Sequence, residues 1–430
     1  MNRMARRGLA IATLAALLST AVACSSGSGG NTPAAKAPVP GVTDTSVLFG
    51  AHVPLTGPAA AGYSRIYPAM RAYFDYVNSK GGVNGRKITY KYVDDGYNPA
   101  NTQTVVRKLV LEDKVFAILN GLGTPTHTGV LDFLKSQKVP DLFVASGSLS
   151  WNQPTKYPGT FAFQVDYKTE AKILGTYIKA TWPTKKVCHF GQNDDFGKDS
   201  LAGFEQALGA SAIVAKQTYV TTNTDVTAQV GALKSAGCEV VALATVPGFT
   251  ALTMGKAATI GFKPQWVSSN VGGDYTTVST SLGAAKGLLE GFVTAGYLPA
   301  NSDAADPWNV LFKKVNDEFN KGAPYDGNAI YGMSVGYLAV QALQAAGKDL
   351  TRDSIIKAVE KGGFKGPGLT PVQYSASSHA GYSGVRLSRV TSGTQAYFGP
   401  VFTSDAEAGA VTEYTAPPIT PPADGIPTNS

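Results

Sequence analysis

Histidine, cysteine and charge are all scarce in this chain. The four histidines, His52, His127, His189 and His379, lie far apart without metal-ligand spacing, so each reads as structural or exposed and no metal site is expected. Charged residues are 16% of the chain. The net charge is +7, and three of those charges are Arg3, Arg6 and Arg7, within a first 23 residues that hold no acid. No run of Lys or Arg follows, so the clustered basic stripe of a nucleic-acid-binding protein is missing and no nucleic-acid partner is expected. Gly121-Leu122-Gly123 lacks the third glycine and the acidic partner of a dinucleotide fingerprint, and no cofactor is expected. Asp94 and Asp95 are adjacent on a strand pattern and point to opposite faces, which suits a turn rather than a catalytic pair.

What is present begins with an export signal. Arg3, Arg6 and Arg7 precede an apolar stretch over residues 8–23 that is short for a membrane span. It ends in Ala21-Val22-Ala23, then Cys24 and a Ser/Gly run, and so resembles a bacterial lipobox, with Ala21 where Leu is usual. Lipidation of Cys24 would hold the protein on the outer face of the bacterial cell membrane. The alternative is ordinary cleavage after Ala23 and a soluble exported chain. If Cys24 carries lipid, Cys188 and Cys238 remain as a pair in an oxidising compartment. Each flanks a predicted strand, the first and third of one α/β unit. A disulfide and two buried free thiols both fit.

The body of the chain has a repeating rhythm. After a tether over residues 24–45, strand and helix patterns alternate from residue 46, and the alternation restarts near residue 166. The pattern predicts two doubly wound α/β lobes with parallel sheets, joined by a hinge. Lobe 1 is assigned residues 46–165 plus 297–370, lobe 2 residues 166–296 plus 371–412, and residues 413–430 a disordered Pro-rich tail. Two such lobes suggest a clamshell closing on a small molecule.

Residues 115–148 are central to this reading. They run strand, glycine loop, helix, strand, glycine loop, with Pro125 placed for a helix start and the helix expected to reach about Gln137. Thr124 and Ser146-Gly147-Ser148 then fall at the strand-end edge where open α/β sheets bind ligands.

Four segments carry a family resemblance. They are Pro54-Leu55-Thr56-Gly57-Pro58, the run from Asn78 through Gly81-Gly82-Val83-Asn84-Gly85 to Ile88, Asp94-Asp95-Gly96-Tyr97-Asn98-Pro99, and Asn193-Asp194-Asp195-Phe196-Gly197. In this order, behind a lipobox, they resemble the branched-chain-amino-acid-type solute-binding proteins of ABC transporters, the type I periplasmic-binding clamshell. The resemblance implies an importer's binding subunit, working as a monomer with permease and ATPase subunits on a small-molecule solute. It implies that Thr124, Ser146, Gly147 and Ser148 hold a carboxylate, by hydroxyls and backbone N–H groups. Thr124 alternatively serves as a plain helix cap. It places Phe196 over the ligand and Asn270 where the family has an acid for the α-ammonium. A shift of a few residues would bring Asp274 there instead. Val246 replaces another frequent aromatic. Tyr63 and Trp151 are pocket walls or ordinary packing residues.

Two other functions fit parts of the sequence. Gly332-Met333-Ser334-Val335-Gly336 matches a hydrolase nucleophile elbow, with Asp353 and His379 following in order. Yet Tyr331, Val335, Leu338 and Ala342 keep helical spacing, which puts Ser334 mid-helix, so no enzyme is expected. A ligand sensor on the same fold is the other alternative.

Overall fold

In lobe 1 the apolar runs become the parallel strands β1 (Ser46–Val53), β2 (Lys87–Asp94), β3 (Ala117–Leu119), β4 (Asp141–Val144) and β5 (Thr160–Ala162). The structure is a computed structural model and describes residues 38–428. Cys24 and the export signal therefore lie outside the described residues. The strand order is β2-β1-β3-β4-β5. Central β3 and β4 are covered on both faces, which is why they read as unbroken apolar runs, whereas edge strand β2 starts with alternating exposed and buried residues.

Lobe 2 holds β6 (Val187–Gln192), β7 (Ile213–Tyr219), β8 (Val240–Ala244), β9 (Gln265–Ser268) and β10 (Val293–Gly296), all parallel. Strands β11 (Gly384–Thr391), β12 (Thr394–Thr403) and β13 (Thr412–Tyr414) extend the sheet antiparallel, in the order β13-β12-β11-β10-β9-β8-β6-β7. A Cys188–Cys238 disulfide joins β6 to the residue two before β8, its paired neighbour, across a Cα–Cα distance of 5.8 Å.

Three expectations are corrected. The helix expected to run to Gln137 is two short helices, Thr124–Thr128 and Leu131–Ser136, separated at Gly129 and Val130, where Val130 leaves helical geometry and is buried in a cluster with Val106 and Leu109. The third crossing between lobes falls near residue 383 rather than 370. Tyr374 donates to the Ala162 carbonyl at 2.6 Å, and the His379 ring stacks 3.9 Å from Phe161, so this segment stays on lobe 1. The tail is ordered through residue 428. It adds β13 to lobe 2 and then lies on lobe 1. There Trp308 Nε1 donates to the Ile419 carbonyl at 2.6 Å, Tyr73 to the Gly425 carbonyl at 2.8 Å, and Tyr76 to the Asp424 carbonyl. Proline removes backbone donors but leaves acceptors, and buried Tyr and Trp donors need acceptors.

Ser334 sits mid-helix in Gly327–Ala346, fully buried, its hydroxyl donating to the Ile330 carbonyl at 2.6 Å. His379 is held instead by the Thr160 carbonyl, at 2.8 Å. No strand-to-helix elbow presents a nucleophile here.

Candidate functional site

Loops after β2, β3 and β4 face loops after β6, β8, β9 and β10 across a cavity of about 1130 Å³, its open mouth included. This is the carboxyl-end edge of both sheets, where open α/β folds bind ligands. Tyr63, Tyr97, Tyr167, Phe196, Tyr297 and Tyr331 give it an aromatic wall. Leu122, Val246 and Val271 add aliphatic surface, and polar side chains such as Gln164, Asn270, Asn301, Asn328 and Gln395 are spread among them.

A connected set of hydroxyls lies at the hinge end. Thr124 Oγ1 and Ser146 Oγ are 2.8 Å apart, and the Tyr167 hydroxyl donates to Ser146 Oγ at 3.3 Å. Gln164 Nε2 donates to the Tyr167 oxygen at 3.4 Å, and Tyr297 donates to Gln164 Oε1 at 3.3 Å. Burial pushes the Tyr167 phenol up to about 12, so it keeps its proton at neutral pH. Thr124 and Ser146 are themselves buried, one layer behind the wall formed by Gly123, Ala145 and Tyr167. Thr124 is not the helix cap; Gly123 takes that position at φ 107°.

The rest of the expected lobe-1 jaw points elsewhere. The Gly147 carbonyl accepts from Tyr167 N at 2.8 Å. Ser148 Oγ accepts from Ser150 N at 3.2 Å and caps the short turn Leu149–Trp151. Both residues line a second cavity, with Asp166, Gly381 and Asp405. That turn carries Trp151 back into the core, where it is fully buried with Leu131 and Val144 and edge-on to His127. Trp151 is therefore packing, not a pocket wall.

Two left-handed residues aim the loops. Asn120 and Phe143 both have φ near 59°, and Asn120 Nδ2 donates to the Phe143 carbonyl at 2.7 Å. Such a conformation is costly for Phe and is sustained by the surrounding packing. Below them runs a buried chain. His52 Nδ1 meets Asp95 Oδ2, His52 Nε2 meets His127 Nδ1, and His127 Nε2 meets Asp141 Oδ2, each at 2.8 Å. Gly121 crosses this chain so closely that a Cβ there would stand 2.5 Å from His52 Nε2.

On lobe 2, Phe196 packs with its ring centroid 4.4 Å from that of Tyr167. Asp194 caps the Phe196 helix, accepting from Phe196 N at 3.0 Å. Asn270 lines the cavity and is held from behind by Glu170, a fully buried acid on helix Tyr167–Thr181. Burial pushes the Glu170 carboxyl up to about 7. Asp274 also lines the cavity, but its carboxylate caps helix Tyr275–Leu282 through Thr277 N at 2.8 Å.

Several hydrogen bonds cross the cleft, among them Asn328 Nδ2 donating to Thr277 Oγ1 at 3.3 Å. Tyr63 donates to the Val271 carbonyl at 2.8 Å, and Arg65 Nη2 to Thr277 Oγ1 at 3.1 Å. Gln192 Nε2 donates to the Tyr97 oxygen at 3.3 Å, and Leu149 N to Asp199 Oδ2 at 3.1 Å. The lobes are closed on each other. Of the residues singled out from sequence, Tyr63, Phe196, Asn270, Val246 and Asp274 reach the cavity wall. Tyr97, Gln164, Tyr167, Glu170, Tyr297 and Tyr331 were missed. Glu170 left a signal: it precedes Leu174 and Ile178 by four and eight residues, an acid inside an apolar helix stripe.

Two α/β lobes closing over a cavity lined from both sides have the architecture of a clamshell. The chain belongs to the periplasmic binding protein family, whose model matches residues 46–395. It is 26% identical over 344 residues to Leu/Ile/Val-binding protein homolog 2 of Brucella abortus, covering 76% of this chain and 85% of that protein. To Leu/Ile/Val-binding protein homolog 3 of Brucella melitensis it is 26% identical over 205 residues, covering 45% of this chain and only 53% of that protein. A branched-chain amino acid ABC transporter protein from Thermus thermophilus, solved with bound valine, superposes with a TM-score of 0.73 at 23% identity, covering 84% and 97% of the two chains. A fatty acid ABC transporter substrate-binding protein from Thermomonospora curvata gives 0.75 at 23% identity, covering 86% and 95%. The type I periplasmic-binding fold expected from the sequence is the fold observed.

Proposed function

We propose that this chain is the extracytoplasmic substrate-binding subunit of an ABC importer. It is anchored to the membrane by lipidated Cys24 and acts as a monomer. It delivers a small polar solute, an amino acid or a related carboxylate or amide, to permease and ATPase subunits. The carrying observation is the cavity between the lobes, aromatic-walled and lined by polar groups from both of them. The Tyr167 hydroxyl, backed by Thr124 and Ser146, turns from Ser146 to the solute's acceptor group at one end, and Asn270 meets the solute's donor group at the other. The names of the Brucella relatives favour an amino acid. A second reading, a solute with a longer apolar body, is favoured by the cavity's size and aromatic wall, and the Thermomonospora neighbour is titled for fatty acids. Deep burial of Ser334 argues against the hydrolase alternative.

A thermal-shift screen of amino acids, amides, polyamines and small carboxylates tests this. At a hundred times its Kd a bound solute adds about 2.7 kcal/mol. At least one class should stabilise the wild type and fail to stabilise Tyr167→Phe combined with Asn270→Ala. No stabilising class, or equal stabilisation of the variant, would overturn the reading.

A further inference from the structure

What Asn270 shows to a solute is decided one layer behind the wall. The side chain of Glu170 is hydrogen-bonded, among the described residues, by Asn270 alone. Asn270 N donates to Oε1 at 2.7 Å, and Asn270 Nδ2 lies 2.9 Å from both Oε1 and Oε2. An ionised carboxylate can only accept hydrogen bonds. The amide nitrogen is therefore the end that Glu170 holds, which leaves Oδ1 on the cavity side of a residue that lines the cavity.

We propose that Glu170 is the specificity-setting, positioning residue of the cleft: it locks Asn270 with its oxygen toward the solute, so that the lobe-2 wall selects a ligand carrying an N–H donor, an ammonium or a carboxamide. This rests on the cleft being the solute site. The local charges agree. The titratable groups coupled electrostatically to Glu170 are Asp166, which caps its own helix, and Tyr297, on the segment after β10, neither of them a cation. Lys172, two residues on and so on the opposite side of the helix, is occupied by Asp405 and by the carbonyls of Glu407 and Gly409. A buried carboxylate with no cation is costly, and a ligand ammonium one amide away offsets part of that cost.

The same geometry contains a switch. Because burial raises Glu170 to about 7, its proton state changes near neutrality. A protonated Glu170 donates to Oδ1, and the amide then turns its NH2 toward the cavity. An acceptor wall becomes a donor wall. Capture of an N–H donor strengthens as pH rises through about 7 and weakens below it.

Calorimetric titration of the full chain at a pH below and a pH above that point, with three probes of one carbon skeleton, tests the proposal. L-leucine carries amine and carboxylate, 3-methylbutylamine the amine only, and 4-methylpentanoate the carboxylate only. Leucine and the amine should bind more tightly at the higher pH. Glu170→Gln should weaken both about tenfold, remove their pH dependence and spare 4-methylpentanoate. Asn270→Ala should weaken them similarly, and adding Glu170→Gln to it should change nothing more, since one residue acts through the other. Equal weakening of all three probes, unchanged leucine affinity in Glu170→Gln, or additive variants would overturn the proposal. The Asn270 side-chain amide resonances of the free protein report the lock without ligand. They should titrate near neutral pH in wild type and not in Glu170→Gln, and a flat wild-type profile would overturn the switch. A titrating amide with no probe bound would instead overturn the cleft as solute site, and the selectivity with it.

Discussion

Asp95, His52, His127 and Asp141 form one buried chain of contacts. Each imidazole turns one nitrogen to a carboxylate and the other to its partner ring, at 2.8 Å throughout. The inner contact needs one proton between the rings, because two bare lone pairs would repel at that distance. Burial pushes His52 below the usual histidine range, against the pull of Asp95. This chain underlies Gly121-Leu122-Gly123, so it fixes the height of the cavity wall next to Thr124. Replacing His127 by Leu strands Asp141 and His52 in the core. The expected cost is about 3–5 kcal/mol of unfolding free energy, read by urea denaturation. A loss below about 1 kcal/mol would show that the chain is not needed for packing. From sequence, the histidines read as structural or exposed, and nothing in the spacing chose between the two. The pairing of His52 with His127 was not legible, because it joins residues 75 positions apart, one on β1 and one on the short helix after β3. For the same reason Thr124 and Ser146 stood out as strand-end hydroxyls, while Tyr167, which covers them from the hinge, did not.

At the scale of elements, rhythm and punctuation carried most of the legible information. Strands β3 and β4 announced themselves as apolar runs, and Gly81-Gly82 marked the end of helix Ile66–Ser79. Composition misled where long-range partners decide. The Pro-rich tail reads as disordered, yet Tyr73, Tyr76 and Trp308 take its carbonyls, and Leu311 packs against Gly425 so closely that a Cβ there would come within 2.3 Å. Deleting residues 415–430 removes the acceptors of three donors and uncovers the apolar surface beneath, at roughly 0.5–1.5 kcal/mol for each hydrogen bond lost. The expected result is a melting temperature lower by several degrees, with increased exposure of Trp308 to fluorescence quenching. An unchanged melting curve would mean that the tail rests on lobe 1 without stabilising it.

For the whole molecule, the repeat of one α/β rhythm in two halves was enough to anticipate a clamshell. The hinge was harder. Only aromatic packing of Tyr374 and His379 against β5 and its neighbours places the third crossing near residue 383. Tethering is the other property at this scale. If Cys24 is the lipid site, wild-type protein should partition into the detergent-extracted membrane fraction, and Cys24→Ser should release it in soluble exported form. Identical fractionation of the two would rule out that anchor. The claim on which the others depend is that the cleft carries a solute. Protein purified without denaturation can be unfolded and the released small molecules identified by mass spectrometry. Wild type should yield a nitrogen-bearing solute in near-stoichiometric amount, and Tyr167→Phe combined with Asn270→Ala should yield none. An equal yield from that variant, or a solute with no N–H group, would contradict the site and its selectivity.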